Sequence, residues 1–173
     1  MIDRVLIDTL NLRARDFAVR WKDVIRESPQ LKHYNRLDDD ALIEADRPLY
    51  PLLARTLDRG FDHSVVGDFF VAAGRKRMRD GFPISEVIFA LTLFQQTVIE
   101  YLLTEFAPEN PMRMYQAMGA LTSVAKFCMM GSYFVSRGFL EETYVSMSVH
   151  DKVSEELLKK YFKDDFPFDG GKP

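Results

Sequence analysis

The chain has 173 residues, 47% hydrophobic and 28% charged, enough to bury one sizeable core in a single domain. A formal net charge of −3 and a pI near 5.6 speak against a nucleic-acid binder that works by neutralising phosphates. Its single cysteine excludes an internal disulfide and suits a reducing cytoplasm. The first residues lack the apolar core of a signal peptide, and no run approaches ~18 apolar residues, so no membrane insertion is expected.

Apolar residues recur close to every 3.6 positions almost throughout, which predicts an all-α fold of five or six principal helices and no strand. Val5, Leu6, Leu10, Phe17, Trp21, Val24 and Ile25 trace one side of a first helix over residues 2–26, ended by Ser28-Pro29. Residues 31–37 are too few and too polar for a full element. Asp38, Asp39 and Asp40 then open a second helix. Acidic residues at a helix N-terminus are the simpler reading than a metal site, since nothing nearby completes a cation-binding loop. Pro48 and Pro51 bend or divide this helix, which stops near Gly60. Asp62 caps a third helix whose contacts come from Val65, Val66, Phe69, Phe70, Ala73 and Met78.

That helix ends in a basic turn. Arg75, Lys76, Arg77 and Arg79 oppose the helix dipole and reach the terminal carbonyls, a reading that outweighs an anion site. Gly81 suits the left-handed position past the end, and Pro83 the start of the next helix. This fourth helix, 83–106, is the hub. Thr92, Gln96, Glu100 and Thr104 form one narrow polar stripe and nearly every other position is apolar, so at least two neighbours must cover it. Pro108 breaks the chain and Asn110-Pro111 restarts it. The helix from 111 turns Met114, Met118, Leu121, Val124, Ala125 and Cys128 to the core, with Gly119, Gly131 and Gly138 permitting close packing or a bend. The pattern continues over 139–162 through Leu140, Tyr144, Met147, Val153, Leu157 and Tyr161, with an ambiguous junction at 148–151. One domain over 1–162 and a disordered tail over 163–173 are expected.

Catalytic constellations are absent, so no enzyme, no catalytic or metal residue and no cofactor is expected. His33, His63 and His150 are dispersed, and the chain has no HExxH, no paired cysteines and no GxSxG elbow. Glu141-Glu142 and Glu155-Glu156 read as solvated helix faces, and Cys128, in an apolar run, as a buried inert thiol. Phe89, Phe94, Tyr101, Met118, Phe127, Met130 and Phe134 form a candidate lining for a cavity holding a small apolar ligand. Such residues are more often ordinary core. Tyr115, Leu140, Tyr144 and Met147 form a candidate homodimer face. The alternative, that the 139–162 helix folds back on its own core, carries equal weight.

Three features carry a resemblance: Trp21 late in the first helix, LDDDALIEADRPLYPLLARTL as the next helical stretch, and the Gly74…Gly81-Phe-Pro-Ile-Ser-Glu-Val turn. With them, residues 21–142 resemble the N-terminal sensor domain of RsbR-type stressosome proteins, the RsbRD N-terminal family. The resemblance implies a globin-like, non-haem signalling domain of stress-response regulators. Haem-binding globin sensors carry a ligating His four residues before the Gly of this turn, where this chain has Arg77. An atypical ligand, His63 or Met78, would be needed for the alternative, a haem-binding gas or redox sensor. Proteins of the resembling type continue into an output domain. Because this chain ends at Pro173, the resemblance implies a sensor or adaptor that addresses a signalling partner in trans.

Overall fold

A computed structural model describes residues 4–105 and 111–150, with positions 154 and 156. Among them are seven α-helices, one 3-10 turn and no strand. They run α1 Arg4–Leu12, α2 Ala14–Arg26, the 3-10 turn Tyr34–Arg36, α3 Asp39–Asp46, α4 Leu49–Arg59, α5 Val65–Arg79, α6 Ile84–Glu105 and α7 Pro111–Ser148. Phe106, Pro108, Asn110, Val153, Leu157, Tyr161 and the 163–173 segment, each given a role by the sequence pattern, lie outside the described residues.

The single first helix expected over 2–26 is divided at Arg13, whose backbone leaves the helical region at φ −109 and ψ 22. The ladder still runs through the break, Arg13 N–H donating to the Thr9 carbonyl and Phe17 N–H to that of Arg13. The halves diverge because they pack on different partners, α1 on α4 and α2 on α3 and α6. The side chains of Thr9 and Asn11 donate back to the Val5 and Ile7 carbonyls, which loosens the last turn of α1.

The second helix divides at its prolines. Pro48 lies between α3 and α4, and Pro51 falls in the first turn of α4, where a missing N–H costs nothing. The Asp38 carboxylate accepts from Ala41 N–H at 2.7 Å and caps α3, while Asp39 is bound by Arg26. The acidic triplet is therefore a helix start. Gly60 and Gly81 take φ of 83° and 78°, as the ends of α4 and α5 require.

The 31–37 segment, though short, is a plug for the core. Leu31 and Tyr34 are buried, and the Tyr34 ring meets Trp21 and Phe82 edge to face. Glu86 on α6 fastens the segment, accepting from His33 N–H at 2.9 Å and lying 2.7 Å from His33 Nδ1. Burial pushes the Glu86 carboxyl up, but these two contacts outweigh it and the net displacement is downward.

α6 is packed as its pattern requires. Thr92, Gln96, Glu100 and Thr104 face outward, and Val87, Leu91 and Val98 are buried. Trp21 spans from α2 to α6, its indole N–H donating to the Ala90 carbonyl at 3.0 Å. A chain of ring contacts crosses the core from Phe17 through Tyr50, Phe94 and Phe127 to Phe70. By length and composition Ile84–Thr104, of mean hydropathy 1.4, would suffice to cross a membrane, and half of that window is buried inside the fold.

α7 is one helix of 38 residues. Its inward side carries Ala120, Val124, Phe127, Cys128 and Val135. The expected inward stripe is therefore corrected: Val124 and Cys128 face the core, whereas Met114, Met118 and Ala125 are exposed. Both sides of this helix are apolar, so periodicity alone left its rotation undetermined. Contact with α5 fixes it. A Cβ on Gly74 would strike the Val135 carbonyl, and one on Gly138 the Val71 carbonyl, so the backbones touch. The Phe70 ring covers Gly131 and the Phe134 ring covers Gly67. Gly119, by contrast, has open space.

Candidate functional site

The seven aromatic and methionine residues expected to share a cavity are not brought together. Phe94 and Phe127 are fully buried and meet each other at 6.0 Å, and Tyr101 packs edge-on against Phe17. Phe134 is half-buried over Gly67 and stacks on Phe61. Phe89 and Met130 are half-buried, and Met118 is 59% exposed on the outside of α7. Helical spacing put these side chains near two long helices but did not assign them to a common face.

The outer side of α7 carries several large apolar side chains. Tyr115, Met118, Met129, Tyr133 and Leu140 are all exposed, Tyr115 at 75%. On an ideal helix at about 100° per residue they fall within roughly 60° of one another. Tyr144 and Met147 extend the same stripe, half-buried. The four residues of the candidate dimer face thus share one side of α7, and Met129 and Tyr133 belong with them, their exposure being what identifies them. Lys126 and Arg137 are interspersed.

The basic turn has an internal asymmetry. Arg75 binds the Glu141 carboxylate through Nε at 2.8 Å and through Nη2, and Arg137 reaches its other oxygen at 3.3 Å. Lys76 pairs with Asp80 at 2.6 Å and Arg79 with Glu142 at 3.7 Å. The reading of Glu141-Glu142 as a solvated face is corrected: Glu141 is buried and Glu142 partly so, because they receive the cations of α5. Arg77 alone of the four has no carboxylate partner among the described residues. Its guanidinium lies 5.0 Å from the Tyr34 ring centroid and 4.7 Å from that of Phe82.

Arg77 also lines a cavity of about 80 Å³ between α2, α3, α5 and α6. Its walls are largely apolar, with Trp21, Phe69, Phe70, Val87 and Leu91 among them. Asp46 and Tyr34 are the other titratable groups on its lining. Asp46 is 2% exposed, and Tyr50 Oη donates to its Oδ2 at 2.6 Å. Burial pushes the Asp46 carboxyl well above the usual carboxylate range, with the Tyr50 hydrogen bond a smaller opposing influence. Burial likewise pushes the Tyr50 hydroxyl upward, and the nearby Asp46 adds to it. The Tyr34 hydroxyl is pushed up to about 12 by burial, against the pull of Arg77. Cys128, buried as expected, is pushed up to about 12, burial first and Asp46 second, so its thiol is held protonated. The sequence reading passed over Asp46 and Tyr50. Their signal was present, since Leu42, Asp46 and Tyr50 recur every four residues and place a carboxyl on an apolar helix face.

Elsewhere, a groove of about 380 Å³ beside Arg15 and Arg47 has its cations neutralised, Arg47 by Glu44 at 2.8 Å and Arg15 by Glu44 and Asp40. His63 is exposed and meets the Phe61 and Phe134 rings, while Met78 lies near Ser146. Neither lines the 80 Å³ cavity. No group of three or more His, Cys, Asp or Glu suited to a metal ion occurs among the described residues.

A family model described as the RsbT co-antagonist protein rsbRD N-terminal domain matches residues 15–142. No curated protein and no solved structure matches the chain. The match covers most of the chain, from α2 through the Glu141-Glu142 pair of α7, and the chain belongs to this family of globin-like helical domains.

Proposed function

We propose that this member of the RsbRD N-terminal family is a non-enzymatic sensor or adaptor domain of a stress-response signalling complex. It acts in the cytoplasm through protein–protein contacts with a partner in trans, paired with a second copy of itself along α7. The observation that carries the reading is the outward stripe of Tyr115, Met118, Met129, Tyr133 and Leu140, an exposed face rich in large apolar side chains, with Thr122 and Lys126 between Met118 and Met129, on a helix whose other side already fills the core. Large exposed apolar patches mark contact sites, and a two-fold interface covers one with a single repeated set of contacts. The domain works without membrane insertion, the apolar side of α6 being occupied by the core. It also works without haem, since the guanidinium of Arg77 stands where the ligating imidazole would be and offers no lone pair to iron.

Light scattering at micromolar concentration tests the pairing. The expected result is a dimer mass that falls to the monomer value in Met129→Glu/Tyr133→Glu, with the helical circular dichroism retained. A monomer in the wild type, unchanged by Tyr144→Glu, overturns it. Protein expressed with ample haem is expected to be colourless, and a stoichiometric Soret band lost on replacing His63 would restore the haem alternative.

A further inference from the structure

We propose that the cavity between α2, α3, α5 and α6 is a binding site for a short-chain monocarboxylic acid, its carboxylate gripped by Arg77 and its hydrocarbon end packed against Phe69, Phe70 and Leu91. Three observations converge on this class of ligand. The first is the unmatched cation: every other basic residue of the turn has its carboxylate, whereas Arg77 has two ring faces and a hydrogen bond to the Tyr34 hydroxyl. Stacking holds a guanidinium by its plane and leaves the N–H groups at its edge for a planar, two-oxygen acceptor. The second is the Asp46 carboxyl, almost wholly buried on the same lining, which accepts from Tyr50 at Oδ2. Burial favours its neutral form, which repels an anion less than a carboxylate would.

Size and wall chemistry supply the third. The cavity's volume of about 80 Å³ is roughly half the ~150 Å³ that admits benzene, which suits a molecule of about three to five heavy atoms. Apolar walls with one cation suit a single negative charge on a small hydrocarbon body. A phosphate dianion would be left with uncompensated charge against phenyl and aliphatic groups. The assignment deepens the sensor reading by naming what the domain takes in. It rests on that reading for the consequence of occupancy, and not for occupancy itself.

The test is calorimetric titration and thermal melting of the full chain with sodium propionate, with propanol and sodium chloride as controls. Saturable propionate binding is expected, with a Kd on the order of 1 mM or tighter, and at least tenfold weaker for propanol. Arg77→Gln should lose tenfold or more with its urea transition intact. Ala73→Val, which adds two methyl carbons to the cavity wall, should keep the fold and lose binding. It decides the matter if Arg77→Gln does not fold. Absent binding, an equal response to propanol, or unchanged affinity in the variants overturns the proposal. Light scattering on the same samples separates the two ideas. A dimer that ignores propionate removes the cavity assignment alone, and a monomer that binds it removes the α7 pairing alone.

Discussion

α5 closes on α7 without space for a methyl group at Gly74, and one residue earlier, at Ala73, it borders a cavity of about 80 Å³. The two faces use different physics. On the α7 side, glycines let backbones approach directly, and Phe70 and Phe134 lie over the glycines opposite them. On the other side, Asp46, Tyr34 and Arg77 bring polar atoms into an apolar wall. The tight face shows that α5 is held firmly. The open face lies where the chain has put a carboxyl, a phenol and a guanidinium, groups that the fold satisfies through Tyr50, through each other and through ring faces.

The contrast breaks most directly at the glycines. Gly74→Val and Gly138→Val should each cost more than about 3 kcal/mol, at or above the upper end of overpacking effects, because backbone and not a rotamer must give way. Gly119→Ala, in open space on the same α7, should instead stabilise by about 0.5–1 kcal/mol. Urea unfolding measures all three, and equal effects at positions 74, 119 and 138 would refute the closed contact.

Leu91→Ala enlarges the open face from the α6 side. It should cost about 2–5 kcal/mol, as for other buried large-to-small changes. A loss below 1 kcal/mol would mean that the cavity wall collapses freely.

The third expectation concerns pH. The native Asp46 carboxyl titrates well above 3.8, so above that pH the unfolded chain releases a proton that the native protein keeps. Its contribution is fully present below the unfolded value and is lost as pH rises toward the folded one, with a slope of up to about 1.4 kcal/mol per pH unit. The groups bearing on it are Tyr50 of α4, Tyr34 of the 3-10 turn and Cys128 of α7, all held neutral, with Arg77 of α5 across the same cavity. Asp46→Asn should remove this component, so the difference between its unfolding free energy and that of the wild type should change with pH above 4. A constant difference would refute the buried neutral carboxyl.

The smallest effect sharpens the comparison most. Ala73→Val should be neutral or up to about 1 kcal/mol stabilising, since it adds apolar surface where space exists. Adjacent residues of one helix would then differ sharply in their response to an introduced valine.

Much of this was legible locally. The Asp38 cap, the breaks at Pro48 and Gly60, the left-handed Gly81 and the outward polar stripe of α6 follow from backbone chemistry or from a pattern with only one polar side. The kink at Arg13 was not legible, because its ladder is unbroken and only the divergence of α1 toward α4 bends the chain. Nor was the role of Glu141, whose pairing with Arg75 spans 66 positions.

The sequence by itself determined that this protein is helical, where most helices begin and end, and that α6 lies at its centre. Capping groups, prolines, glycines and hydrophobic period act within a few residues, and their outcome does not wait for the rest of the fold. Only the tertiary structure decided which side of α7 faces inward, which cation of the basic turn is left without a carboxylate, and where space remains beside Asp46. Those are properties of distance between residues far apart in the chain, and α7, apolar on two opposite sides, carries no local signal that could have chosen its rotation.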